Sequence, residues 1–187
     1  TGLIIYLENI TFVDLTGLKE ATIFGDYFIA ESGLKCFDGS MFTNVTEIGW
    51  FAVDTWKNLN NIRLESIVFK NNTKLSLIGT SFCYMFGLYK YEKTMPLKYI
   101  DLSGWTNVIN IEGDFIGYCS LLKELDLRNL TKLQNIWSTF LENCTGLEEI
   151  WLPYDMDQIS GFSGWGENLD SLQKIHCGTK LNEYKEA

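Results

Sequence analysis

Seven leucines, Leu7, Leu34, Leu64, Leu97, Leu122, Leu147 and Leu172, each lead a copy of one pattern. The last four stand 25 residues apart, and the earlier gaps are 27, 30 and 33. A period of this size marks a solenoid, whose units bury their apolar stripes only by stacking on one another. Three residues after each leader stand Ile10, Phe37, Ile67, Ile100, Leu125, Ile150 and Ile175, all large and apolar. Five after stand Phe12, Gly39, Phe69, Leu102, Leu127, Leu152 and Cys177, where only Gly39 departs. Later apolar columns run through Leu18, Val45, Leu75, Val108 and Leu133, through Ala21, Ile48, Ile78, Ile111 and Ile136, and through Ala52, Phe82, Phe115, Phe140 and Trp165.

The start of each copy alternates apolar and polar residues, as in Leu122–Leu127 and Leu147–Leu152. Alternation of this kind suits a strand with one buried face. Strands this far apart in sequence cannot form tight hairpins, so each pairs in parallel with its copy in the next unit. The remainder of the unit supplies the crossover. Its spacing, Phe115-x-x-x-Cys119-x-x-Leu122 and Phe140-x-x-x-Cys144-x-x-Leu147, predicts one or two helical or 3₁₀ turns on the opposite side.

The string from Phe140 to Leu152, followed by Pro153, resembles the leucine-rich repeats of the BspA-like class, found on bacterial and protist surface proteins. The resemblance is sharp over residues 97–153 and weaker over 7–96 and 154–177. It departs from the class in having proline only at Pro96 and Pro153, and in the cysteine column, which reads Trp56, Phe86, Cys119, Cys144, Leu169. The fold expected is an α/β solenoid of leucine-rich repeats in a right-handed coil. Its concave face is a parallel β-sheet, its convex face carries the short helical or 3₁₀ turns and loops, and about seven repeats make one domain over residues 1–187. The resemblance implies a non-catalytic adhesion or recognition role at a cell surface or outside the cell, with a host or matrix protein as the kind of partner. It transfers no catalytic residue.

Composition narrows the alternatives. The apolar fraction of 46% is ordinary for one folded domain. A net charge of −9 argues against nucleic acid, which requires a basic stripe. No apolar run approaches the roughly 18 residues that a membrane span needs. No secretory signal is visible, and the apolar start Leu3–Leu7 behind Thr1 predicts a segment upstream. The extra residues Tyr89–Pro96 fall in the longest gap between leaders and read as a surface loop. Cys119 and Cys144 fall on neighbouring units within disulfide reach, and are expected as buried free thiols, while Cys36 faces outward. Five Asn-x-Ser/Thr sequons, at Asn9, Asn44, Asn71, Asn129 and Asn143, match chance in a chain rich in Asn and Thr.

The single histidine, His176, excludes clustered-histidine metal sites, and no serine or threonine stands in a nucleophile motif beside it. Asp101 and Asp126 share one column and Glu124 and Glu149 another, but no EF-hand or RTX loop accompanies them. Gly161–Gly166 lacks the lysine of a phosphate loop. The expectation is no catalytic residue, no metal and no cofactor.

What remains is a surface. Strand alternation sends the residues one, two and four after each leader outward. The four-after column reads Thr11, Asp38, Val68, Asp101, Asp126, Trp151, His176, and the two-after column reads Asn9, Cys36, Ser66, Tyr99, Glu124, Glu149, Lys174. Trp151 is the exception in a charged sheet, and tryptophan is enriched at binding hot spots. With His176, Tyr99, Asp101, Asp126, Glu124 and Glu149 it marks a candidate patch for a protein partner. A structural spacer and a carbohydrate-binding module are the alternatives.

Overall fold

The computed structural model describes residues 9–29, 32–50, 52, 63–83, 94–136, 139–153, 159–160 and 166–177. The expectations for Leu3–Leu7, Trp56, Phe86, Tyr89–Lys93, Gly161–Trp165 and the C-terminal tail lie outside these residues. Among the described residues the regular structure is almost entirely short parallel strands: β1 (Ile23–Phe24), β2 (Cys36–Asp38), β3 (Glu47–Ile48), β4 (Ser66–Val68), β5 (Leu77–Ile78), β6 (Tyr99–Asp101), β7 (Asn110–Ile111), β8 (Ile116–Gly117), β9 (Glu124–Asp126), β10 (Asn135–Ile136), β11 (Leu141–Glu142), β12 (Glu149–Trp151) and β13 (Lys174–His176). One 3₁₀ turn, Thr16–Leu18, completes the described set. No described helix is long and apolar enough to cross a membrane.

The three-residue strands stand where six of the seven copies predicted them; in the first copy the described residues 9–12 form no strand. The six form two parallel sheets, β2-β4-β6 and β9-β12-β13, in sequence order. Pairing register follows the leucine spacing: Ile150 lies opposite Leu125 and Ile175, and Ile67 opposite Phe37 and Ile100. The middle residue of each strand up to β12 is buried and its neighbours face out or lie half-buried, which is the period-two signature in the sequence.

The rest of each unit differs from expectation. Two further ladders run through it: β1-β3-β5-β7-β10 is a continuous five-stranded sheet, and β8 pairs with β11 where helical turns were predicted. The backbone gives the reason. Ser81, Asp114 and Thr139 have φ of 60°, 58° and 66°, and Tyr118, Asn143 and Asn168 have 58°, 54° and 55°. Residues 114 and 118, and 139 and 143, bracket β8 and β11, and a left-handed residue ends any helical run. The 4-and-3 apolar spacing thus arises from two tight corners around a two-residue strand.

The ladders enclose one apolar core. Phe82, Phe115 and Phe140 stack face to face along it, with centroids 5.5 and 4.9 Å apart, and Trp105 packs against Phe69, Phe82 and Phe115. Cys83, Cys119 and Cys144 are buried free thiols beside this stack. Hydrogen bonding with Cys144 and Cys83, together with burial, pushes the Cys119 thiol well up, so Cys119 lacks the thiolate character of a nucleophile. Asn72 is the buried polar side chain that ties successive layers together. Its amide donates to the Gly39 and Phe42 carbonyls at 2.9 and 3.0 Å. Gly104 allows this packing, because a Cβ there would stand 2.6 Å from the Asn72 backbone nitrogen.

Both ends of the stack depart from the predicted burial. Phe12 is 79% exposed, Leu18 is exposed, and Ile175 is 48% exposed although every described partner in its column from Phe37 to Ile150 is buried. Among the described residues no paired strand of the sheets β2-β4-β6 and β9-β12-β13 lies before β2 or beyond β13, so these side chains have described cover on one side only. Leu172 is half-buried.

Two substitutions separate middle from end. Leu147→Ala, in a fully buried position, should cost about 2–5 kcal/mol in denaturant unfolding, and Leu172→Ala distinctly less. Asn72→Ala should cost about 1–3 kcal/mol in all, since the Gly39 and Phe42 carbonyls each keep a backbone donor, from Phe42 and Val45. Its urea midpoint should fall accordingly.

Candidate functional site

The residues singled out from sequence lie on one face. β6 carries Tyr99 and Asp101, β9 carries Glu124 and Asp126, β12 carries Glu149 and Trp151, and β13 carries His176. The register places Asp126 beside Trp151 and Trp151 beside His176, with Glu149 between Glu124 and Lys174.

Trp151 is a correction. It was expected to stand exposed, and it is half-buried with its ring faces occupied. The His176 ring stacks on it at 4.9 Å and 5° interplanar angle, and the Arg128 guanidinium lies 5.6 Å from its centroid on the β9 side. Arg128, which the sequence reading did not single out, is gripped by Asp126. Nε donates to Oδ1 at 3.0 Å and Nη2 to Oδ2 at 2.6 Å. The result is a four-member stack, Asp126–Arg128–Trp151–His176, closed by the contact between His176 Nε2 and Glu149.

The aspartates have a second, local role. Asp126 accepts the backbone N–H of Arg128, Asp101 that of Ser103 and Asp38 that of Ser40, each at 2.9–3.0 Å. This is the Asx turn, in which a side chain two residues back replaces the missing strand partner. The Asp column thus ends its strands and turns the chain. Arg128's side-chain hydrogen bonds, working against burial, hold the Asp126 carboxyl below the ordinary carboxylate range. For Asp101, burial raises the carboxyl, but hydrogen bonds from Ser103 and Tyr99 and the charge of Lys70, 3.9 Å away, outweigh it and bring it down. The His176 contact and Lys174 likewise lower Glu149.

Where consecutive strands of the sheets β2-β4-β6 and β9-β12-β13 pair, the junction is bonded at both ends. The N–H of Lys98 reaches Glu65 and that of Phe69 reaches Asp101; the N–H of Glu148 reaches Lys123 and that of Leu127 reaches Trp151. Between β6 and β9 the pairing stops. The corresponding bonds from Lys123 and Leu102 are missing, although β7 and β10 pair normally in the neighbouring sheet. A groove of about 410 Å³ opens along this seam, lined by Tyr99, Asp101, Ser103, Glu124, Arg128 and Trp151 among others. Pairing at the 25-residue spacing would set Lys98 against Lys123 and Asp101 against Asp126, and like charges directly opposite weaken a ladder. Each instead pairs away from the seam: Lys98 with Glu65, Lys123 with Glu148, Asp101 with Lys70 and Asp126 with Arg128. Glu124 and Glu149 also face each other, but Glu149 is occupied by Lys174 and His176.

Other candidates have less structure around them. Among the described residues no group of three or more His, Cys, Asp or Glu is placed to hold a metal ion. Of the sequons, Asn9, Asn71 and Asn129 are exposed, whereas the Asn143 amide is engaged with Glu142 and Asn168.

The carboxylates give a signed pH dependence. A folded-state pKa below the unfolded value contributes stability that is complete above the unfolded value of about 3.9 and is lost as pH falls through the folded one. Melting temperature should therefore hold down to about pH 4 and then drop. The double variant Asp101→Asn, Asp126→Asn should be less stable at neutral pH and show a shallower acid limb in thermal melts. Compared with protein-family models, curated proteins and solved structures, the chain matches none of them.

Proposed function

We propose that this chain is a solenoid of BspA-like leucine-rich repeats, and that it acts as a non-catalytic recognition module at a cell surface or outside the cell. Support for the solenoid comes from strands that pair in sequence order at the leucine spacing, in more than one ladder at once. The recognition reading rests on the groove along the β6–β9 seam. Its lining combines Tyr99, Arg128 and Trp151, the three residue types that dominate binding energies at protein interfaces. Tyr99 offers the free aromatic surface, being 52% exposed. The partner proposed is a protein, such as a host or matrix protein.

A spacer that holds another domain away from a surface is the second reading. The observation in its favour is Trp151, whose ring faces are already occupied by His176 and Arg128.

Binding titrations of the intact domain against immobilised matrix and host-surface proteins distinguish the two. On the recognition reading Tyr99→Ala and Trp151→Ala each weaken the captured partner by about 2 kcal/mol or more. Tyr99→Ala should leave the melting temperature nearly unchanged, as befits an exposed side chain. Binding that survives both substitutions, or no binding at all, favours the spacer.

A further inference from the structure

The occupant of the seam can be read from what the seam leaves unsatisfied. Four of the charged side chains that line it are compensated from outside or alongside, by Glu65, Glu148, Lys70 and Arg128. Glu124 is different. It is exposed on β9, lines the groove, and among the described residues has neither an ion pair nor a side-chain hydrogen bond. It stands between Tyr99 on one side and Glu149, already engaged, on the other. The seam also leaves the N–H groups of Leu102 and Lys123 without the ladder bonds that the paired junctions of these sheets have. β6 and β9 still approach within 8 Å at Cα, so an occupant lies over the seam and not between the strands.

We propose that the groove between β6 and β9 binds an extended basic peptide segment of a protein partner. A lysine or arginine of that segment pairs with Glu124, its backbone lies along the mouth of the seam, and an adjacent side chain rests on Tyr99. The inference rests on the recognition reading and names its ligand class. Charge supports it at two scales. The local free charge is a carboxylate, and the whole chain carries −9, which draws a cationic partner in and repels an acidic one. A neutral oligosaccharide would leave the free carboxylate without a counter-charge.

The test uses the intact chain and a short alternating Gly-Lys peptide, acetylated and amidated, followed by heteronuclear NMR at low salt. A matching Gly-Glu peptide and a neutral gluco-oligosaccharide are the controls. The Gly-Lys peptide should shift the amide signals of residues 99–103 and 123–129, with an affinity that falls as salt is raised. Glu124→Gln should weaken it about tenfold or more, the size of one charge-assisted hydrogen bond. Glu47→Gln, the same charge change on β3 in the other sheet, should leave it unchanged. Equal losses in the two variants would reduce the effect to net charge and overturn the proposal. So would signals that move elsewhere, no binding by the peptide, or the same signals moved by the oligosaccharide. If Tyr99→Ala abolishes capture of a protein partner while Glu124→Gln does not, recognition stands and the basic-peptide assignment falls.

Discussion

Everything in this molecule depends on backbone pairing between a chain segment and the next one along, held in parallel at a constant register. Among the described residues there is almost no helix to shield a sheet face and no hairpin to close locally. A strand of two or three residues has little stability alone. It persists here because the same two neighbours are paired again at other sides of the core, by β5 with β7 and by β8 with β11, while Phe82, Phe115 and Phe140 stack beneath. Register, core packing and the columns of like residues are one constraint seen from three directions. A shift of a single residue would turn the middle residue of every strand out of the core.

That constraint explains which parts of the structure were legible in the sequence. The three-residue strands were, because burial alternates with a period of two and the leaders mark the start. The faces of Tyr99, Asp101, Glu124, Asp126, Glu149, Trp151 and His176 followed from the same alternation, and the structure sets them on one surface. The crossover was misread. Phe-x-x-x-Cys-x-x-Leu has helical spacing, but two left-handed corners give the same apolar positions with a strand between them. Asn143 and Asn168 are residue types that tolerate such corners, whereas Tyr118 and Thr139 are not, so half of the signal was absent. The exposure of Phe12 and Ile175 was equally invisible, since a column pattern carries no information about which side chains find cover on both sides.

The candidate site was legible as a list and not as chemistry. Sequence assigned the aspartates to a binding patch; the structure shows them first as turn-formers that accept the backbone N–H two residues on. Arg128 was overlooked because it lies outside the strand columns, yet it links Asp126 to Trp151 and sets how much of the tryptophan is available. The Asp-x-Arg spacing was the usable hint, since a side chain two residues past an Asx turn returns over the carboxylate. The seam could not be foreseen from apolar periodicity at all. It comes from charge, in the lysine and aspartate pairs that the 25-residue spacing would bring face to face.

The seam also divides the molecule in how it comes apart. A stack of paired segments distributes its stability over its joints, and the weakest joint decides where partial opening begins. Here one joint lacks its ladder on one side and keeps it on the others. Partial opening is therefore expected to begin between the block that carries β6 and the block that carries β9, on the face with the groove, while the pairs β7 with β10 and β8 with β11 still hold the joint. Any chain lying in the groove would bridge the two blocks, so that occupancy there would tie a local contact to the mechanical continuity of the whole stack.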